Sequence, residues 1–247
     1  MKNLFTALDT YLTLTAQEVI TQLRKDVNIN MSSDDKWFYS GPKNPELVLV
    51  AHIDTVNDPN IPAPKLHEID RSDTEVSLTR GAMSYCLGTD DRAGIVGCLQ
   101  LLSAYGTEHM GVLFTNYEEK GGLGARDFCH CFDFKKDFTN TKLFVEFDRR
   151  GTEHYVDYCG NPVEMKTWVD KLGWKQEAGT FSDVYFISQV SKIPSINVAT
   201  GYYNEHSRNE RLVLADWFEG ILYITRIIEG IKDAPLCRIE RNEGWLF

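Results

Sequence analysis

The chain has 247 residues, 43% of them hydrophobic and 25% charged, and a formal net charge of −10. These values are typical of a globular enzyme with a full hydrophobic core, and the length favours a single domain over residues 1–247. The negative charge argues against nucleic acid as a partner, because binding to phosphate groups requires clustered Lys and Arg.

The sequence carries no signal of a membrane or secreted protein. No uninterrupted apolar segment approaches the roughly 18 residues of a membrane span, and the N-terminus lacks the pattern of a signal peptide. The six cysteines are not spaced as in a disulfide framework or a zinc knuckle. We therefore expect a cytoplasmic protein without a membrane partner.

Two amphipathic helices are predicted at the start of the chain. Phe5, Leu8 and Leu12 recur at helical spacing and share one face. The second helix is predicted to begin after Thr15, because Thr15 and Glu18 have the spacing of a capping box.

Continuous apolar runs predict strands that are buried on both faces, as in a parallel sheet. These runs are Leu47–Ala51, Gly111–Asn116, Leu143–Phe147 and Ser195–Ala199. Shorter patterns predict further strands at Trp37–Tyr39 and Tyr155–Tyr158, and an edge strand at Glu75–Thr79.

Helical patterns lie between these strands and after the last one. One helix is predicted after Gly94, a second at Leu123–Cys129, and a third at Pro162–Leu172 with Asn161 as its cap. A fourth carries the apolar stripe Leu214, Trp217, Ile221, Ile224, Ile228 and Ile231. Strands that alternate with helices predict an α/β fold, a three-layer sandwich around a mostly parallel mixed sheet.

Polar residues follow the predicted strands at one edge of this sheet. His52 follows the first apolar run, Glu118 and Glu119 the second, Asp148 the third, and the segment from Gly201 to His206 the fourth. Ligand sites of such sheets lie outside the carboxyl ends of the strands. Each residue alone has a commoner role in packing or at the surface, but together they predict one site.

Adjacent carboxylates stand between glycines in the stretch from Leu87 to Gly94. Asp90 and Asp91 lie where a loop meets a predicted helix. An ordinary N-cap is one interpretation, because Asp is a favoured cap. The like charges of the pair repel each other, however, and a cation would stabilise them.

The candidate ligands fit a pair of metal ions. Neutral imidazole and carboxylate suit zinc, cobalt or manganese, and two ions about 3.5–4 Å apart need one bridging group and about two further ligands each. Five residues supply this set: His52, Asp90, Glu119, Asp148 and His206. Asp54 is placed to steady a neighbouring ligand and Glu118 to accept a proton from water. Glu146 is an alternative to Asp148, because residues two apart on a strand share a face.

These motifs resemble the successive signatures of the co-catalytic zinc exopeptidases. That clan includes tripeptidase T-like enzymes, carboxypeptidase/aminoacylase enzymes and zinc aminopeptidases. The matching segments are His52–Val56, Gly88–Gly94, Glu118–Ala125, Phe147–Asp148 and the late His206. The resemblance implies a phosphorylase/hydrolase-like catalytic domain, and it also implies a cis peptide bond between Asp90 and Asp91.

The resemblance further implies a role for each candidate. Asp90 would bridge the two ions, His52 and Asp148 would complete one site, and Glu119 and His206 the other. Glu118 would be the general base and Asp54 would orient His52. The implied reaction is hydrolysis of an amide bond in a short peptide, by a water molecule that two ions activate.

The chain departs from part of that clan. The carboxypeptidase/aminoacylase enzymes carry a lid or dimerisation domain after the ligand that matches Asp148, and here Gly151–Gly201 is too short for one. We therefore expect a catalytic domain without a lid. Asp183 is a candidate for binding a substrate amine, and Arg208 for pairing a substrate carboxylate. Arg149 and Arg150 are similar candidates, although a surface salt bridge is the commoner role of such arginines.

Two alternatives to a peptidase remain open. An N-acyl amino acid amidohydrolase or deacetylase would use the same site on an N-acyl amino acid. A catalytically inactive homologue would bind peptide or metal as an interaction module. About two ions per chain would favour an enzyme, whereas none would favour the module.

Overall fold

The computed structural model describes residues 4–57, 62–108 and 110–240. Its helices are α1 (Leu4–Leu12), α2 (Ala16–Asp26), α3 (Thr89–Tyr105), α4 (Leu123–Cys131), α5 (Val163–Asp170), α6 (Asp183–Ser191) and α7 (Leu214–Gly230). Its strands are β1 (Met31–Ser33), β2 (Trp37–Ser40), β3 (Leu47–His52), β4 (Ile69–Arg71), β5 (Glu75–Leu78), β6 (Met110–Thr115), β7 (Leu143–Arg149), β8 (His154–Val156), β9 (Lys175–Glu177), β10 (Ser195–Ala199), β11 (Tyr202–Tyr203) and β12 (Arg211–Val213).

An eight-stranded mixed sheet forms the middle of the molecule. Its strand order is β1-β2-β6-β3-β7-β10-β8-β9. The four central strands, β6, β3, β7 and β10, run parallel to one another, while β2 and β8 pair with them antiparallel. The four apolar runs in the sequence are these central strands, so the predicted α/β fold is confirmed.

Helices cover both faces of the sheet because its strands are apolar on both faces. In β3, Leu47, Leu49 and Ala51 belong to the core cluster that includes the buried residues of α1, α2, α3 and α7. Val48 and Val50 belong to a second cluster with residues of α4 and α6. Successive side chains of a strand point to opposite faces, so the sheet is the middle of three layers.

A second, four-stranded antiparallel sheet was not predicted from the sequence. Its order is β11-β12-β5-β4. The predicted strand Glu75–Thr79 is β5, but its expected edge position is wrong, because it lies between β12 and β4. Its partner strands have only three residues each, which is too short for a recognisable alternation.

Local signals predicted some helix ends better than others. The capping box at Thr15 is confirmed: the Glu18 N–H donates to Thr15 Oγ1 at 3.4 Å, and the Thr15 N–H donates to Glu18 Oε2 at 2.9 Å. The predicted cap of α5 is wrong, because Pro162 occupies the N-cap position. Asn161 instead bonds the backbone of Ser195 at 3.0 Å with both its side-chain oxygen and its side-chain nitrogen.

Two further features concern the cysteines and the lengths of the helices. All six cysteines are free. Within the described residues, no helix combines the length and the apolarity that crossing a bilayer requires. The cytoplasmic location stays a prediction.

Candidate metal centre

The carboxyl ends of the central strands bring the candidate ligands together. His52 ends β3, Glu118 and Glu119 follow β6, Asp148 is the penultimate residue of β7, and His206 lies in the segment after β10. The strands are parallel neighbours, so these ends meet at one edge of the sheet.

His52 is buried and its ring is oriented by the backbone. Its Nδ1 lies 3.0 Å from the carbonyl oxygen of Asp54, and its Nε2 lies 2.9 Å from Asp90 Oδ1 and 3.5 Å from Asp148 Oδ1. A proton on Nδ1 that is donated to the carbonyl leaves the Nε2 lone pair directed at the two carboxylates. This is the orientation of a metal-ligating imidazole.

The Asp54 side chain contacts the turn that carries the two glutamates. Its Oδ1 accepts the N–H of Glu118 at 3.0 Å, and its Oδ2 accepts the N–H of Glu119 at 3.2 Å. The nearest approach of its carboxylate to His52 Nδ1 is longer, at 3.6 Å. Asp54 therefore orients His52 mainly through its backbone, whereas its carboxylate positions Glu118 and Glu119.

Asp90 and Asp91 point in different directions. The peptide bond between them is cis, as the family resemblance implied. Asp91 is fully buried, and its carboxylate accepts the N–H of His52 at 3.1 Å and the N–H of Gly94 at 3.0 Å. A Cβ at Gly94 would lie 2.1 Å from the carbonyl oxygen of Phe147 and 2.2 Å from Asp91 Oδ1, so this position requires glycine.

The two oxygens of Asp90 face two different groups of candidate ligands. Asp90 Oδ1 lies beside His52, whereas Asp90 Oδ2 is 3.1 Å from His206 Nε2, which is also 2.8 Å from Glu119 Oε1. Within each group, one ligand atom per residue lies within 4.8 Å of the others: His52 with Asp90 and Asp148, and Asp90 with Glu119 and His206. A third group of this kind joins His52, Glu118 and Glu119.

Burial and the crowding of acids both disfavour the ionised carboxylates of the site, and a bound cation would offset this. Burial raises the pKa of Glu118 to about 10, and the Asp148 carboxylate adds to this shift. Burial raises the pKa of Asp148 to about 7, with Asp90 acting in the same direction. Hydrogen bonds to Asp90 and Glu119 raise the pKa of His206 to about 11. The donors fit divalent ions of the zinc, cobalt and manganese type, whose positive charge would favour the ionised form of these carboxyl groups.

A cavity of about 410 Å³ opens over these residues. Its lining residues are Asp90, Glu118, Glu119, Gly121, Asp148, Arg149, Arg150, Tyr158, Thr180, Phe181, Tyr202, Glu205 and His206. The volume is at the low end of the roughly 300–1,000 Å³ that is typical of small-ligand pockets.

Glu146, the alternative to Asp148, has a different position. It is fully buried, and its carboxylate accepts the N–H of Asp183 at 3.2 Å and of Val184 at 3.4 Å, at the start of α6. It is absent from all three ligand groups found among the described residues. Its contacts therefore indicate a cap for α6, and the geometry favours Asp148 as the ligand candidate.

The two predicted substrate-binding residues do not line the cavity. Asp183 is fully buried and its carboxylate accepts a hydrogen bond from the hydroxyl of Thr115. Arg208 donates to the carbonyl oxygen of Ala82. Arg149 and Arg150, by contrast, both line the cavity.

Glu210 is a buried residue of the site that no sequence pattern predicted. It is fully buried, and its carboxylate accepts the N–H of Gly88 at 3.0 Å, the hydroxyl of Thr89 at 2.5 Å and the N–H of Asp90 at 3.1 Å. It therefore joins the segment that carries His206 to the loop that carries Asp90. The only available signal was its position four residues after His206.

Replacing Glu210 is expected to loosen the Asp90 loop. Glu210→Ala leaves three buried donors without an acceptor, so we expect the free energy of unfolding to fall by about 2–4 kcal/mol and metal affinity to fall at least about tenfold. Glu210→Gln keeps one acceptor and should lose about half as much stability. Denaturant unfolding and metal titration measure these effects.

Glu205 provides the matched control for this prediction. It lies in the same segment, where its carboxylate pairs with Arg150 at 3.0 Å near the surface. Glu205→Gln is expected to change stability by less than about 1 kcal/mol. Equal losses for Glu205→Gln and Glu210→Ala would contradict a special role of Glu210.

Comparison with known families identifies the chain. A model described as peptidase family M28 matches residues 35–195, about two thirds of the sequence. The chain belongs to peptidase family M28. It is therefore a metallopeptidase, and the predicted membership of the metallo-exopeptidase clan is confirmed.

Solved structures share the fold of this M28 chain. An aminopeptidase PepT from Bacillus cereus has a TM-score of 0.68 at 14% identity, with 93% of this chain and 98% of that chain covered. A tripeptidase from Staphylococcus aureus has a TM-score of 0.67 with the same identity and coverage. The TET1 peptidase of Pyrococcus horikoshii has a TM-score of 0.61 at 13% identity, with 90% and 98% covered. No curated protein matches the sequence.

Proposed function

We propose that this chain is an exopeptidase that hydrolyses short peptides with two divalent metal ions. The observation that carries the proposal is the shared position of Asp90 in two ligand groups. One ion would be held by His52, Asp90 and Asp148, and the other by Asp90, Glu119 and His206. Zinc is the favoured metal, with cobalt or manganese as alternatives.

Bound divalent ions would supply a polarised substrate carbonyl and water of lowered pKa. Glu118 lines the cavity and carries out proton transfer, from water to the leaving amine. Asp54 holds the backbone of Glu118 and Glu119. The Tyr202 hydroxyl donates to Asp148 Oδ1 at 3.1 Å and so orients that carboxylate.

The size of the cavity supports a short substrate. About 410 Å³ accommodates a ligand of a few residues, and family M28 membership makes a peptide the expected substrate. We infer one catalytic domain over residues 1–247, because the described helices pack on the faces of one central sheet.

Metal removal is the direct test of this function. We expect the chain to contain about two ions, and chelation followed by dialysis should lower hydrolysis of dipeptides and tripeptides at least about 100-fold. Zinc, cobalt or manganese should restore it. Elemental analysis and a peptide hydrolysis screen provide the two readouts.

Two results would contradict the proposal. A fully active chain with a single ion would exclude the two-ion scheme. A chain that binds two ions but hydrolyses only N-acetyl amino acids would instead be an amidohydrolase that acts on N-acyl amino acids.

A further inference from the structure

Arg149 is a cation in the cavity with unused hydrogen-bond donors. Its Nη2 donates to the carbonyl oxygen of Ala178 at 3.3 Å, while its Nε is buried without an acceptor. Among the described residues, Nη1 also has no acceptor, and no carboxylate forms an ion pair with this guanidinium. Arg150, the next residue, differs because it pairs with Glu205 at 3.0 Å.

That Arg149 has no acidic partner within the described part of the chain is unusual at this place. The chain has a net charge of −10, and the cavity that Arg149 lines contains the side chains of Asp90, Glu118, Glu119, Asp148 and Glu205. Because Arg149 pairs with no acid of the described residues and its Nε is closed off from the cavity, the donors open to a ligand are those of Nη1 and the second N–H of Nη2.

The backbone of Arg149 is held firmly beside the candidate ligands. Arg149 directly follows Asp148 and ends β7, opposite Ala199 of β10. Its N–H donates to Thr200 Oγ1 at 3.2 Å, and its carbonyl oxygen accepts the N–H of Thr200 at 2.6 Å. A site on a rigid strand end fixes the position of a charge better than a mobile loop does.

We propose that Arg149 binds the free carboxylate of the substrate, which restricts hydrolysis to substrates that end in a carboxylate close to the hydrolysed bond. The inference rests on the proposed function. An arginine binds a carboxylate through two parallel N–H donors, which adds specificity as well as affinity. In a cavity lined by acids, a terminal carboxylate without such a partner is repelled.

The test compares a free acid with its amide. Ala-Phe and Ala-Phe amide differ only in the terminal charge, and a Phe side chain suits a cavity that Tyr158 and Phe181 also line. We expect kcat/KM of the native chain to favour the acid about 10- to 100-fold. Arg149→Ala should bring this ratio close to one, and Arg149→Lys should give an intermediate ratio.

Arg150→Ala is the matched control, because Arg150 lines the same cavity but already has Glu205 as its partner. We expect it to change the acid-to-amide ratio less than twofold. Equal hydrolysis of acid and amide by the native chain would overturn the inference. An equal loss of kcat/KM on the acid and the amide in Arg149→Ala would also overturn it, since a purely structural role of Arg149 would affect both substrates alike.

A third substrate and a binding measurement complete the experiment. N-acetylphenylalanine has the carboxylate without the free amine, so its hydrolysis relative to Ala-Phe distinguishes an N-acyl amino acid from a peptide as the source of the carboxylate. If no substrate is hydrolysed with any metal, the proposed function fails. Calorimetric binding of Ala-Phe and its amide then decides the inference, because only carboxylate recognition makes the preference for the acid depend on Arg149.

Discussion

Glu118→Gln is expected to lower kcat by about 10²–10⁴-fold while the chain keeps its metal ions. The amide of Gln has nearly the shape of the carboxylate but cannot accept and return a proton. The backbone contact to Asp54 Oδ1 at 3.0 Å is unaffected by this substitution, so the side chain should stay in place. Steady-state kinetics and elemental analysis of the same preparation measure the two quantities.

Glu119→Gln is the informative comparison, because the two glutamates are neighbours with different proposed roles. Glu119 lies 2.8 Å from His206 Nε2, and its replacement should weaken binding of one ion as well as turnover. Glu118 also belongs to a possible ligand group with His52 and Glu119. Loss of metal from Glu118→Gln would therefore assign Glu118 to the ligands and contradict its role as base.

Asp90→Ala is expected to remove both ions, because Asp90 is the one residue common to both proposed sites. His206→Ala should weaken mainly the ion held with Glu119. The expected metal contents are therefore close to none for Asp90→Ala and about one for His206→Ala. Activity should fall by at least about 10³-fold in Asp90→Ala, since the ions would no longer polarise the substrate carbonyl or lower the pKa of water.

Metal content by elemental analysis decides this prediction, with circular dichroism as the check on folding. Asp90→Asn is the second variant, since it preserves side-chain volume and removes the charge that the ions need. One full ion retained in Asp90→Ala would show that another group bridges the pair. Asp91 is poorly placed for that role, because its carboxylate already accepts the N–H groups of His52 and Gly94.

Much of the fold was predictable because its signals are local. The four apolar runs are the central strands, and short runs of this kind are typical of strands that are buried on both faces. The capping box at Thr15 involves residues three apart, so it forms wherever the helix forms. The second sheet was not predictable, because the pairing of β5 with β12 joins segments more than 130 residues apart in the sequence.

The candidate site was also predictable in part from the sequence. By itself, the sequence determined which residues stand at the carboxyl ends of the central strands, and therefore that His52, Glu119, Asp148 and His206 lie near one another. Strand direction and chain order are enough for that conclusion, because parallel strands place their ends at one edge.

Only the tertiary structure decided what each side chain contacts. It separated Glu146, which caps α6, from Asp148, which faces His52. It showed that Arg149, and not Arg208, lines the cavity. These outcomes depend on side-chain direction and on contacts between distant segments. Periodicity along the chain does not predict such contacts, because each contact depends on how elements that are distant in the sequence pack against one another.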